Sequence, residues 1–148
     1  MNPPIVVAPD GSEAGRRAVA HAATLARAGA SRLIVAHVLE WSPYSFLSPE
    51  ELAERHKRRE QELARAETAL VTPVLTDLAA QGISANGAIR YGHVAETLCE
   101  IAQESGAVQI VIGRTGSSGT AGTIAARLFG SVAGTLAQIA PVPVTIVP

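Results

Sequence analysis

Ile5-Val6-Val7-Ala8-Pro9-Asp10-Gly11-Ser12 holds four apolar residues in a row, three of them β-branched, stopped by a turn-forming Pro-Asp-Gly-Ser. An apolar run without polar alternation belongs to a strand buried on both faces, as in a parallel sheet covered by helices. Residues 13–28 follow, rich in alanine, with Ala18, Ala22, Leu25 and Ala26 at helical spacing; Ser12 is placed to cap this helix and Gly29 to end it. Strand, turn and helix in that order make half of a βαβ unit.

The pattern then repeats along the chain. Residues 33–39 read as a second strand. Ser48-Pro49-Glu50-Glu51 is a helix start, with a capping serine, proline at the first position and glutamate three residues after the cap. That helix runs to about residue 80, and Pro73 is expected to kink it or split it near Thr72. Residues 83–90 read as a third strand weakened by Gly87, Tyr91-Gly92-His93 as a turn, 94–105 as a helix and 108–112 as a fourth strand. A glycine-rich stretch over 113–122, a helix over 123–140 and a last strand over 141–147 complete the chain. Strands alternating with helices imply an α/β fold, an open parallel sheet with helices on both faces and right-handed crossovers. No linker and no internal repeat interrupts 1–148, which is read as a single domain.

Composition bounds the function. The chain has 148 residues, 47% hydrophobic and 3% aromatic, with a formal net charge of -1 and 27 alanines. A chain of this size buries roughly 70% of its unfolded surface and needs no staple. The charge balance lacks the basic face of a nucleic-acid module, and 17% charged residues is too few for a disordered tail. No apolar run reaches the ~18 residues of a membrane span. A single cysteine, Cys99, excludes an internal disulfide and fits a reducing compartment, and Met1-Asn2-Pro3-Pro4 lacks a leader's basic start, so a cytoplasmic location is expected.

In an open α/β sheet ligands bind beyond the carboxyl ends of the strands, where strand order reverses. Two strand ends stand out. Asp10, one of two aspartates, can accept hydrogen bonds from a ligand or cap the first helix jointly with Ser12; both readings stand. After the fourth strand, Gly113, Gly116, Gly119 and Gly122 recur every three residues among Ser and Thr, and Gly130-Ser131 follows. Bare N–H groups in such a turn, with a helix start behind them, make an anion nest; the alternative is a plain surface loop. A P-loop is excluded because the one lysine, Lys57, lies far away, and no Gly-x-Gly-x-x-Gly follows the first strand. Phosphate binding would therefore rest on backbone donors, aided by Arg114.

Other residues carry less. His21, His37, His56 and His93 lie on separate elements without metal-ligand spacing, and His37 reads as a satisfied core histidine. Cys99 reads as inert packing. Arg55-His56-Lys57-Arg58-Arg59, balanced by Glu50, Glu51, Glu54, Glu60 and Glu62, reads as a solvated helix face. Trp41, Tyr44 and Phe46, three of the five aromatics, crowd one loop that either packs on the long helix or serves as a lid or partner surface. Pro141 and Pro143 mark the last strand as a sheet edge, and an apolar edge of this kind suggests a dimer interface.

Taken together, Ile5 to Ser12, Ala36-His37-Val38, Gly92-His93-Val94-Ala95-Glu96, Val111-Ile112-Gly113, Leu128-Phe129-Gly130-Ser131-Val132 and Ala140-Pro141-Val142-Pro143-Val144 resemble a single-domain universal stress protein over nearly the whole chain. The resemblance implies a five-stranded, Rossmann-like parallel sheet of order 3-2-1-4-5 and a homodimer through residues 141–147. One branch of that family binds ATP or AMP and is marked by Gly-x2-Gly-x9-Gly-Ser/Thr. Here Gly113-x2-Gly116 matches the first half and Gly130-Ser131 the end, but 13 residues separate Gly116 from Gly130, so the loop is four residues longer. Gln109 also stands where the family usually has aspartate.

Carried over by position, Ala8, Pro9 and Asp10 would lie at the adenine with Val38 packing on the ring, and Ser12 and Ile112 would flank them. Gly113, Arg114, Thr115 and Gly116 would face ribose and phosphate, with Mg2+ held through the phosphates. Gly130, Ser131 and Val132 would close the site. The function implied is a homodimeric sensor or regulator of the stress response, with a possible regulatory protein partner. The alternative is an interaction module of the branch that binds no nucleotide. An enzyme is not expected, at most a slow ATPase: hydrolysis needs a metal clamp and a group to position water, and no carboxylate follows Glu104.

Overall fold

The computed structural model describes residues 2–40, 48–114 and 132–148. In chain order the elements are β1 (Asn2–Ala8), α1 (Glu13–Gly29), β2 (Ser31–Glu40), α2 (Pro49–Ala66), a π-helical turn (Glu67–Val71), α3 (Thr72–Ala80), β3 (Ala85–Gly92), α4 (Val94–Ser105), β4 (Gln109–Gly113), α5 (Val132–Ile139) and β5 (Val144–Val147). The five strands pair in parallel in the order β3-β2-β1-β4-β5. This is the expected α/β sheet of order 3-2-1-4-5, with helices on both faces.

The pleat of the strands divides the core, because successive side chains point to opposite faces. Val6, Ile34, Ala36, Ile110 and Ile112 pack against Leu98 and Ile101 of α4 and Leu136 of α5. Ile5, Val7, Leu33, Val35 and Val111 pack on the other face against Ala18, Ala22 and Ala26 of α1, together with Val71 and Leu78. Alanine on the buried stripe of α1 lets that helix lie close to β1, β2 and β4.

Several boundaries differ from the sequence reading. β1 starts at Asn2 rather than residue 5, and its register with β2 slips where Pro3 and Pro4 lack N–H donors: Asn2 pairs with Ser31 but Ile5 with Leu33. β3 starts at Ala85 and absorbs most of the expected 91–93 turn, since Leu39↔Tyr91 and Glu40↔Gly92 continue the ladder. β5 starts only at Val144, after both prolines, although the Pro143 carbonyl still accepts from the Ile110 N–H at 3.0 Å. Gly29 remains helical, and the left-handed cap of α1 falls on Ala30 (φ 52°), whose N–H donates to the Ala26 carbonyl. Of the expected 123–140 helix, residues before 132 lie outside the described residues, as does the 41–47 aromatic loop.

The long helix divides near Thr72, as expected from Pro73: α3 starts at Thr72 with the proline in its first turn. The turn just before the proline is wide, and the Thr72 N–H donates to the Glu67 carbonyl five residues back. Proline offers no N–H to the carbonyl four residues behind it and its ring crowds that carbonyl, so a wider turn relieves both. Ser48 caps α2 as expected, its hydroxyl accepting from the Glu51 N–H at 3.2 Å. No residue of α2 is buried. Most of its basic run is exposed, as the His56–Glu60 pair at 3.3 Å illustrates, while half-buried Arg59 lies over the Tyr91 ring at 5.2 Å. The helix is tied to the sheet edge through Tyr91, whose hydroxyl donates to Glu62 Oε2 at 2.5 Å and lies 3.3 Å from the Arg59 carbonyl. Burial and Glu62 push that hydroxyl up to about 12, so it stays protonated as a donor.

Gly87, which weakened the sequence case for β3, sits under the π turn. A Cβ there would lie 2.8 Å from Cγ1 of Val71, a fully buried and conformationally stiff side chain. Gly87→Ala is therefore expected to destabilise the fold by about 1–3 kcal/mol, the usual cost of overpacking, read as a lower urea midpoint.

Candidate functional site

β1 has β2 on one side and β4 on the other, so strand order reverses between β1 and β4. The carboxyl ends of these three strands meet there: Ala8 is level with Ile112, and Val7 with both Val35 and Val111. Ala8, Val38, Ile112 and Val132 come from β1, β2, β4 and α5, and all belong to the apolar cluster on the α4–α5 face. Four of the residues that the resemblance pointed to thus lie on one face of the sheet, Val38 and Ile112 buried and Ala8 and Val132 half-buried.

The loop after β1 supplies the polar side. Oδ1 of Asp10 accepts from the Ser12 N–H at 3.0 Å and from the Ser12 hydroxyl at 2.5 Å. The Ser12 hydroxyl oxygen in turn accepts from the Gly15 N–H at 3.0 Å and caps α1. Of the two readings of Asp10, the joint cap is therefore present. Pro9 is buried, while Asp10 and Ser12 are half-buried.

Two glycines here answer to packing. A Cβ at Gly113 would lie 2.7 Å from the Ala14 carbonyl carbon and 2.9 Å from the Ala14 Cβ, so the first turn of α1 rests on the end of β4. A Cβ at Gly15 would lie 2.7 Å from Asp10 Oδ1, so only glycine leaves room for that carboxylate over the helix start. Gly15 was missed in the sequence; its signal is a glycine in the first turn of an otherwise alanine-rich helix, where glycine has poor propensity. Arg114 is exposed, and its N–H extends the ladder to β5 by donating to the Val147 carbonyl at 2.7 Å. Thr115, Gly116, Gly130 and Ser131 lie outside the described residues.

His37 lies half-buried on β2 beside Val38 but on the opposite face, where the Pro9 backbone and the Asp10 charge pull its pKa up. Burial outweighs both and holds the imidazole below its ordinary range. Cys99 packs at the edge of the α4–α5 cluster, its thiol pushed up by burial and by Glu96 and Glu100, which suits the inert role. Gln109 donates to the Thr145 hydroxyl and so joins β4 to β5. Among the described residues no three His, Cys, Asp or Glu side chains gather as a metal site, and no helix is long and apolar enough to cross a membrane.

The sequence profile of the universal stress protein family matches residues 1–148. This chain belongs to the universal stress protein family. Among solved structures it is similar to the universal stress protein UspA from Lactobacillus plantarum, at 22% identity and TM-score 0.81, covering 99% of this chain and 97% of that one. It is similar to a universal stress protein in complex with cAMP, at 28% identity and TM-score 0.67, covering 99% and 97%. A third, the universal stress protein from Archaeoglobus fulgidus in complex with dAMP, has 21% identity and TM-score 0.64, covering 100% and 99%. The first and third bear on the fold alone. No curated protein matches the sequence.

Within this family member the packing roles of Gly113 and Ser12 can be measured without any ligand. Gly113→Ala is expected to lower stability by about 1–3 kcal/mol, because the clash is with backbone. Ser12→Ala is expected to cost about 1 kcal/mol through the lost cap. A Gly113→Ala protein as stable as the parent in urea would contradict the packing role.

Proposed function

We propose that this chain is an adenine-nucleotide-binding universal stress protein, taking ATP or AMP at the carboxyl ends of β1, β2 and β4. It would act as a homodimeric regulator in the cytoplasm, through a regulatory protein partner, and not as an enzyme. The observation that supports this reading most is that Ala8, Val38, Ile112 and Val132 share one face of the sheet at the strand ends, next in the chain to the Asp10 loop. A flat, uncharged base suits an apolar floor, and a carboxylate at its rim suits the amino group of adenine. Pro9, Ser12, Gly113, Arg114, Thr115, Gly116, Gly130 and Ser131 complete the proposed contacts, with the phosphates met by backbone N–H groups and Mg2+ held through the phosphates. The related structure named with cAMP supports the ligand class.

The dimer is proposed through β5, which is an edge strand with Ile146 41% exposed. A role without turnover agrees with the absence of acidic residues after Glu104, which leaves the loop after β4 no side-chain carboxylate to clamp a metal. One observation favours a second reading, an interaction module without nucleotide: the close contact of Ala14 demands glycine at 113 whether or not a phosphate passes there.

Calorimetry separates the two. Titration with MgATP and with AMP is expected to give saturable heat at one nucleotide per chain, and Asp10→Ala to weaken it roughly tenfold or more, the value of one hydrogen bond to a charged group. Mass spectrometry of the natively purified protein is expected to find adenine nucleotide. Silence at millimolar ATP and AMP, with none co-purified, would establish the second reading.

A further inference from the structure

The sheet ends in two edge strands, β3 and β5, and they are not alike. In a parallel ladder a residue sends its N–H and its carbonyl to the same side, and successive residues alternate. The Leu33 N–H donates to the Ser84 carbonyl at 2.9 Å, and Leu33 is level with Ala85. Asn86, Ala88 and Arg90 therefore turn their backbone groups to β2. Ala85, Gly87, Ile89 and Tyr91 turn theirs outward, where no further strand follows among the described residues. On β5 the pattern is shorter. The Ile110 N–H donates to the Pro143 carbonyl and the Arg114 N–H to the Val147 carbonyl, which leaves Val144 and Ile146 facing outward.

Exposed edges are usually blunted by proline, by lysine, by shortness or by a covering element. β5 has four residues and follows Pro141 and Pro143. β3 has eight residues, holds neither proline nor lysine, and keeps an unbroken register from Leu33↔Ala85 to Glu40↔Gly92. Its one charged side chain, Arg90, is drawn to Glu104 of α4 at 2.6 Å. The packing partners of β3 meet its faces: Val71 and Leu75 lie over Gly87, and Ala88 packs against the α4–α5 cluster. α2, tied to this strand through Tyr91, is the one helix among the described residues with no buried residue.

We propose that the free edge of β3 is a self-association surface, to which β3 of a second copy adds antiparallel. A copy fits as the occupant because the strand is complementary to itself. With a two-fold axis at Ala88, Ala85 lies opposite Tyr91 and Gly87 opposite Ile89. Every outward N–H and carbonyl of these four then meets a partner. Each of these pairs sets a small residue against a large one. On the other face Asn86 lies opposite Arg90 and Ala88 opposite itself, so no like charges meet and only methyl groups lie at the axis. This contact does not depend on nucleotide. It is compatible with a dimer through β5, because the two use opposite edges. With both made, sheets join edge to edge into assemblies larger than a dimer.

The test uses the whole chain carrying Ile146→Lys, which removes a β5 contact, and follows it by sedimentation and by amide hydrogen exchange from micromolar to millimolar concentration. The variant is expected still to associate, and the Gly87, Ile89 and Tyr91 amides to gain protection as it does. The Asn86, Ala88 and Arg90 amides, bonded within the sheet, are expected to stay protected throughout. Asn86 is exposed, so its substitution leaves the core alone. Asn86→Arg, which sets like charges opposite Arg90 twice in each contact, is expected to weaken association roughly two- to tenfold, and Asn86→Glu to strengthen it by a similar factor. The same amides followed in the parent chain decide the question if Ile146→Lys does not fold. A chain that stays monomeric at millimolar concentration would overturn the proposal. So would association during which the three outward amides exchange at an unchanged rate, or which neither Asn86 variant shifts.

Discussion

The first turn of α1 lies against the end of β4 with no room for a side chain between them. The space a Cβ at Gly113 would need is occupied by Ala14 backbone and Cβ at 2.7–2.9 Å. Because α1 starts there, its alanine stripe of Ala18, Ala22 and Ala26 falls over β1, β2 and β4, and the strands it covers can be apolar on both faces. The same contact brings the helix N-terminus to the point where strand order reverses. Ser12 and Asp10 are held at that point because they cap this helix.

The two faces of the sheet divide the work. The apolar surface of Ala8, Val38, Ile112 and Val132 belongs to the α4–α5 layer. The loop that carries Asp10 belongs to the α1 layer, whose first turn it caps through Ser12. Val38 and His37 are adjacent in sequence and separated by the sheet. A register slip of one residue in β2 would exchange them, placing imidazole in the apolar cluster of the α4–α5 face and valine on the α1 face. The ladder from Leu33↔Ala85 to Glu40↔Gly92 holds β2 against that slip.

Much of this was legible in the sequence, for local reasons. The apolar runs announced buried strands, Ser12 and Ser48 announced helix starts, and the alternation of the two announced a parallel sheet. What misled was proline and glycine. Pro3 and Pro4 sit inside a strand because a register slip accommodates them, and Gly87 serves as a contact surface for Val71. In both cases the residue's local preference was read correctly, but the neighbour that made it acceptable lies on another element.

The sequence by itself determined the element order, the helix caps, the strand-end positions of Asp10 and Gly113 and the family resemblance. These follow from period, turn chemistry and short motifs, which act within a few residues. Only the tertiary structure decided that Ala8, Val38, Ile112 and Val132 share one face of the sheet, and that Gly15 and Gly113 yield space to Asp10 and Ala14. Those facts depend on which strands are neighbours and how closely a helix approaches them, and they are set by packing between segments that lie far apart in the sequence, which no local pattern records.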